Sequence, residues 1–320
     1  MTAASKSVKT QLTVGGHALQ VTNLDKVLWP RDGYTKGDLI AYYRAVAKWL
    51  LPHVRHRPLT LERYPNGIDE AGWWEKHIPK GLPEWVATVK TAASTRDEKI
   101  EFILCEDEAT LTYVANLATI VLHVWYSHQP TLDVPDFILI DLDPGAGCTL
   151  ATLARVALAA RDELATVGVK PLVKTTGGSG LHVVIPLEPR YDWEQAKGFA
   201  ELVARRIHAV APDHTTLDRT IARRPKGTVY IDYVQVGKGK TYVAPFSVRP
   251  RDGAPVSMPI PWTEVEAMRR KRAKETAPEM TRWSIANVPK LLARNGDCWS
   301  KAWKPYRLEP VIAAARSLWS

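Results

Sequence analysis

The sequence predicts an α+β protein built on an open, mostly antiparallel sheet with helices packed on it and an α/β lobe before it, and three observations carry that prediction. Between residues 137 and 248 the order is strand, helix, two strands, helix, two strands, a split-βαβ arrangement. The segments 171–175 and 181–187 alternate around Thr176-Gly-Gly-Ser179-Gly180, the pattern of a hairpin. Upstream, Thr35-Lys36-Gly37-Asp38 opens a helical pattern with a capping residue and an acid three positions on.

Taken in order, residues 11–21 read as a strand. Leu39, Ile40, Tyr43, Val46, Leu50 and Leu51 then recur at helical spacing. Residues 52–95, rich in Pro, Gly, Trp and charge, read as short strands and loops; 100–105 alternates as a strand, and 110–126 reads as a largely buried helix. The strand 137–142 is followed by a helix over 149–166, amphipathic through Leu153, Val156, Ala157, Ala160 and Leu164. After the hairpin come a helix over 193–210 and strands over 229–235 and 241–248. With no repeat and no long linker, the expected organisation is one catalytic domain over 1–320, with an N-terminal lobe to about 130, a sheet lobe over about 131–260 and a helical tail over about 261–320.

Composition narrows the class. With 45% hydrophobic and 24% charged residues, the chain has enough apolar material for a core and is not mainly disordered. A net charge of +9 favours an anionic partner such as nucleic acid, and is equally compatible with a basic enzyme. Cys105, Cys148 and Cys298 are too scattered for a disulfide framework or a zinc cluster. The start lacks an apolar leader and no stretch of about 18 apolar residues appears, so a soluble, non-secreted protein is expected.

The chemistry concentrates in Asp136-Phe-Ile-Leu-Ile-Asp141-Leu-Asp143-Pro144-Gly145. Residues i and i+2 of a strand share a face about 6.5 to 7 Å apart, so Asp141 and Asp143 converge on one side. One reading is an acidic, solvated turn. The other is a cation site, because two partly buried carboxylates cost several kcal/mol unless compensated, and hard oxygen ligands suit Mg²⁺ or Mn²⁺. Asp232, inside the apolar run 229–235, adds a third carboxylate, which by itself reads equally as an ion-pair partner for an arginine of 219–224. Three aspartates on neighbouring strands would hold two ions roughly 3.5 to 4 Å apart, the spacing used for in-line phosphoryl transfer.

Around these lie groups suited to a nucleotide. The loop Lys174-Thr-Thr176-Gly-Gly-Ser179-Gly180 offers hydroxyls and glycine N–H groups for an anion-binding nest, or is only a tight turn. His182, at the start of the following strand, is placed to donate to a phosphate oxygen, or is a core histidine. Arg249, closing the strand 242–249, brings a permanent planar charge, and Gln235 a hydrogen-bonding amide. Adjacent Trp73 and Trp74 would face opposite sides of a strand, so one is expected to stack on a base and the other to fill the core. Lys36, in the first turn of its helix, and Lys26 run against the usual dipole preference, which points to an anion, with two solvated lysines as the alternative.

These residues sit in motifs that together resemble the polymerase domain of bacterial ligase D, in the archaeo-eukaryotic primase superfamily. LDKVLWP, TKGDLIAYY, HRPLTLERYPNG, GWWEKH, ANLATIVLHVW, LIDLDPG, KTTGGSGLHVVIPL, RRPKGTVYIDYVQ and KTYVAPFSVRPRDGAPV occur in the family's order over nearly the whole chain. The resemblance implies a primase-polymerase fold with an RRM-like catalytic sheet. It makes Asp141, Asp143 and Asp232 the metal-binding catalytic triad for two Mn²⁺ or Mg²⁺ ions. Thr176, His182 and Arg249 become the phosphate pocket of an incoming NTP or dNTP, with His123 and Gln235 beside it. Trp74 and Trp73 become the pair that stacks on base and template, and Lys26 and Lys36 the grip on a 5′-phosphate. Ser179 stands where many relatives carry lysine, and Val236 follows Gln235 where asparagine is common.

The expected function is therefore DNA-dependent nucleotidyl transfer: primer extension or short gap filling, with ribonucleotides preferred, in repair such as non-homologous end joining. Implied partners are DNA with gaps, breaks or 5′-phosphorylated ends, Ku and a separate ligase, for a monomer in the bacterial cytoplasm at the nucleoid, with no membrane. No adenylation-type lysine motif or nuclease module is read in the chain. The alternatives are a non-catalytic DNA-end binding module and a metal-dependent nuclease.

Overall fold

The computed structural model describes residues 9–92, 99–271 and 277–319. The first residues of the N-terminal stretch, 1–8, and residues 272–276 of the expected helical tail lie outside them. The chain forms two compact units, one from Met1–Val124, Val243–Val256 and Ser284–Gly296, the other from Trp125–Tyr242, Ser257–Trp283 and Asp297–Ser320. Segments of the expected tail thus contribute to both. Among the described residues no helix is long and apolar enough to cross a membrane.

In the first unit the helix Lys36–Val54 begins as expected: the Thr35 side chain accepts from the Asp38 N–H, and the Asp38 carboxylate accepts from the Thr35 N–H in return. Its apolar face, with Leu39, Tyr43, Val46 and Leu50 fully buried, enters the core. The Tyr43 hydroxyl donates to the Ile120 carbonyl at 2.6 Å and accepts from the Val248 N–H at 3.2 Å, which ties the helix to a strand and to the 243–256 segment. The residues expected to form one strand over 11–21 form a hairpin, Lys9–Val14 with His17–Thr22, because Gly15 and Gly16 take positive φ at its turn.

The helix expected over 110–126 is corrected. A helix runs over Glu108–Asn116, capped by Asp107, and a strand follows over Thr119–Trp125. Ala118, at φ +57°, breaks the helix, and the β-branched run Thr119-Ile120-Val121 favours the extended chain once it pairs with Leu59–Arg63. Leu59–Arg63 pairs on its other side with the short strand Trp73–Glu75.

The second unit is a six-stranded sheet in the order Thr215–Thr216, Val229–Asp232, Phe137–Pro144, Leu181–Pro186, Leu172–Thr175, Pro259–Ile260. Its first pair is parallel and the rest antiparallel. The helices Leu150–Thr166 and Trp193–Val210 contact it and each other, with Thr149 and Asp192 as their caps. Ile138, Ile140 and Leu142, all fully buried on one face of the central strand, are each worth about 1.5 to 3 kcal/mol of burial.

Two of the expected strands are shorter. The strand expected over 229–235 ends at Asp232, because its Oδ1 accepts the Val234 N–H at 3.0 Å and turns the chain. The strand expected over 241–248 ends at Val243; Pro245 cannot donate to a ladder and Phe246 lies at φ +64°. Arg249 therefore sits on a loop, its N–H donating to the Pro255 carbonyl at 2.7 Å.

Candidate active site

Strand register assembles the acidic group. In the antiparallel ladder Asp141 stands directly opposite Asp232 on one side and opposite His182 on the other, and Lys174 stands opposite His182. Directly paired residues share a face, so Lys174, His182, Asp141 and Asp232 form one row across four strands, with Asp143 two residues beyond Asp141 on the same face. The His182 Nε2 lies 3.5 Å from Asp141 Oδ1, and both side chains are largely buried. His182, the second residue of the strand Leu181–Pro186, lies at the strand's start as expected and faces a carboxylate there. Lys174, missed in the sequence as more than a loop flank, is fully buried, and its ammonium donates to the Ser257 hydroxyl.

Asp232 is not paired with the arginines of 219–224 among the described residues. Its Oδ2 accepts from the Gln235 amide at 2.8 Å, while Arg224 lies 3.7 Å over the Tyr230 ring and donates to the Asp218 carbonyl. The Asp143 carboxyl is pushed above the usual carboxylate range, first by burial and then by the negative charge of Asp232, with Arg224 opposing. That frustration is what a cation relieves, and the oxygen donors fit Mg²⁺ or Mn²⁺. As they stand, however, no three carboxylate, imidazole or thiol groups among the described residues are gathered to hold an ion. The Gln235 amide takes Asp232 Oδ2, while His182 Nε2 only approaches Asp141 Oδ1.

The glycine loop is also turned to its own use. The Thr176 hydroxyl accepts from the N–H groups of Gly178 and Gly180, both at 3.2 Å, and Gly177 takes φ +68° to allow it. The expected nest is thus filled by Thr176, with Ser179 half-buried beside it. Gly180 is required here: a Cβ would meet the Leu142 carbonyl oxygen at 2.6 Å. Gly180→Ala is expected to cost about 1 to 3 kcal/mol, as overpacking does, read as a lowered urea midpoint with an unchanged slope.

The remaining candidates belong to the first unit. His123 Nε2 lies 2.8 Å from Glu62 Oε2, and Trp74 covers the imidazole with ring centroids 4.1 Å apart. Trp73 and Trp74 do face opposite sides, Trp74 paired with Glu62 and Trp73 with Arg63, but neither is a core residue: they are 44% and 54% exposed. Trp73 lies 5.0 Å from the Arg63 guanidinium, a cation–π contact.

Lys26 and Lys36 line one cleft with Thr22, Arg63 and Asn116. Lys26 is exposed and donates to Asn66 Oδ1 at 3.0 Å. Lys36 is not solvated. Its Nζ donates to Thr22 Oγ1 at 3.1 Å and to the carbonyl and Oδ1 of Asn116, both at 2.9 Å. Asn116 ends the helix Glu108–Asn116, so this cation, unfavourably placed on its own helix, sits at the negative end of another. Burial, then the charge of Lys26, lowers its pKa to about 8.

Residues 35–299 match the LigD primase-polymerase domain model. The chain belongs to that family. It is 32% identical over 285 residues to the multifunctional non-homologous end joining protein LigD of Mycobacterium bovis, covering 87% of this chain and 36% of that protein. It is 31% identical over 250 residues to the bifunctional LigD of Bacillus subtilis, covering 78% and 40%. It therefore spans little more than a third of these relatives. Its fold is similar to the polymerase domain of Mycobacterium tuberculosis ligase D solved in complex with DNA: TM-score 0.80, 32% identity, 88% of this chain and 97% of that one. The primase-polymerase fold is thereby shown for this member of the LigD family.

Glu62 and Tyr64 escaped the sequence reading. A signal for Glu62 was present: like Asp232, it is a carboxylate in a strand-like run beside apolar residues, here Leu59 and Leu61.

Proposed function

We propose that this LigD-family chain is a template-dependent nucleotidyltransferase that extends primers and fills short gaps in DNA, preferring ribonucleotides, within non-homologous end joining. The observation that carries the reading is the register that sets Asp141 against Asp232 with Asp143 on the same face. These three residues would hold two Mn²⁺ or Mg²⁺ ions, which when bound activate a 3′-hydroxyl and stabilise departing pyrophosphate. Thr176, Ser179 and His182, the last beside Asp141, are the triphosphate contacts in the second unit, and Arg249 and His123 are the nucleotide contacts in the first. Gln235, bonded to Asp232 Oδ2, would bond the nucleotide, with Asp232 among the residues that would hold the metal. Trp74 stacks on the base, Trp73 on the template, and Lys26 and Lys36 attract the 5′-phosphate of the downstream strand. Ku and a separate ligase are the proposed partners, in keeping with the end-joining names of the relatives.

The test is a 5′-phosphorylated gapped duplex with labelled primer, incubated with NTPs or dNTPs and Mg²⁺ or Mn²⁺. The reading expects lengthened primers, more with NTPs. Shortened primers would identify a nuclease, and binding without any change in length an end-binding module.

The raised Asp143 pKa adds a pH dependence. In the interval between the ordinary carboxylate pKa and its raised value, the folded protein holds a proton that the unfolded chain has lost. The group therefore favours folding at low pH, and that contribution disappears as pH rises through the folded value. A metal ion must displace the same proton. Mn²⁺ affinity by calorimetry is expected to fall as pH drops through this interval, and Arg224→Gln, which removes the opposing charge, is expected to move the fall to higher pH.

A further inference from the structure

We infer that Glu62 is a positioning residue for the nucleotide pocket: its carboxylate, steadied by the Tyr64 hydroxyl, holds the His123 imidazole in a fixed orientation through the contact between Glu62 Oε2 and His123 Nε2. The inference rests on the polymerase reading above, in which His123 and Arg249 meet the triphosphate.

The placement follows from register. Glu62 pairs with Val121 on one side and with Trp74 on the other, while His123 pairs with Thr60. Residues two apart on a strand share a face, so Glu62, His123 and Trp74 come together on one side of this sheet. Glu62 Oε2 lies 2.8 Å from His123 Nε2, and the Tyr64 hydroxyl donates to Glu62 Oε1 at 2.6 Å. The imidazole is thus gripped at one nitrogen and covered on its face by Trp74.

The charge balance agrees. Burial would favour a neutral Glu62, but hydrogen bonds from His123 and Tyr64 and the charge of Arg249 outweigh it and hold the carboxyl below its usual range. Among the described contacts of the imidazole is therefore an ionised Glu62, with Tyr64 behind it and the charge of Arg249 acting on the same carboxylate. The Glu62 carboxylate thus meets the His123 imidazole directly and is further stabilised by the charge of Arg249. Nothing in the geometry calls for a carboxylate that touches the nucleotide itself, since its two oxygens are already engaged.

The test uses Glu62→Gln, Glu62→Asp and Tyr64→Phe in the full chain. The first readout is the titration of the His123 ring by NMR in nucleotide-free protein, which needs no catalysis. Glu62→Gln is expected to lower its midpoint by about one pH unit and to raise KM for NTP about tenfold with a much smaller change in kcat. Glu62→Asp is expected to restore most of both, and Tyr64→Phe to raise KM about threefold by loosening the carboxylate. An unmoved imidazole midpoint in Glu62→Gln overturns the inference, as does a loss of kcat without a change in KM. Should that variant fail to fold, an unmoved midpoint in Tyr64→Phe with wild-type KM overturns it equally. Absence of NTP incorporation by the unmodified chain overturns the polymerase reading instead, and the imidazole titration still decides the Glu62–His123 coupling.

Discussion

Replacing Asp141 and Asp143 together by alanine is expected to lower primer extension by roughly a thousandfold, since the cation contribution to nucleotidyl transfer is several kcal/mol at about 1.4 kcal/mol per tenfold. DNA affinity is expected to stay near that of the unmodified chain, because two negative charges are removed from a protein whose net charge is already +9. Stability provides an internal control. Asp143 carries a carboxyl raised by burial and by Asp232, so removing negative charge from that face relieves repulsion, and the urea midpoint should be unchanged or higher. Extension on a gapped duplex, filter binding to the same duplex and denaturation together separate lost chemistry from lost fold. Extension within tenfold of the unmodified chain would falsify the assignment of the acidic row.

Lys36→Ala is expected to act on stability and on DNA recognition at once. The variant takes the ammonium donor from Thr22 Oγ1 and the Asn116 carbonyl, leaves Asn116 Oδ1 with the Thr22 N–H, and removes a cation from a helix C-terminus, a loss of about 2 to 3 kcal/mol for a buried charged group. Lys36→Arg is not expected to rescue it, since a planar guanidinium cannot match three acceptors converging on one nitrogen. The preference for 5′-phosphorylated over unphosphorylated gaps should fall with it. In the unmodified chain that preference should weaken as pH rises past about 8, where the lowered pKa lets the ammonium lose its proton. Lys26→Ala removes the repulsion that contributes to the lowering, and should shift the pH at which the preference fades upward. Competition binding with the two duplexes from pH 7 to pH 9 reads both effects, and a pH-independent preference would remove Lys36 from the phosphate site.

Much of this was legible from local pattern. The Thr35 to Asp38 capping box, the helices over 150–166 and 193–210 and the hairpin around Thr176 stand as the periodicity and turn chemistry predict, because each is decided by neighbours within a few residues. The misread helix over 110–126 shows the limit. An apolar run with no polar stripe has no period to read, and Thr119–Trp125 became a strand because a partner, Leu59–Arg63, lay ready to pair with it. Likewise nothing local foretold that the Thr176 hydroxyl would fill its own glycine loop, or that Arg249 would leave the strand.

By itself, then, the sequence determined the class of fold, the faces on which Asp141 and Asp143 lie, and, through the order of its motifs, membership of the LigD family. The tertiary structure alone decided which faces meet: Asp141 with Asp232 and His182, Glu62 with His123 and Trp74, Lys36 with the end of a helix 80 residues away. The reason is physical. A strand's period of two assigns each side chain a face at no distance along the chain, but which strands are neighbours and in what register is set by burial and pairing over the whole sheet.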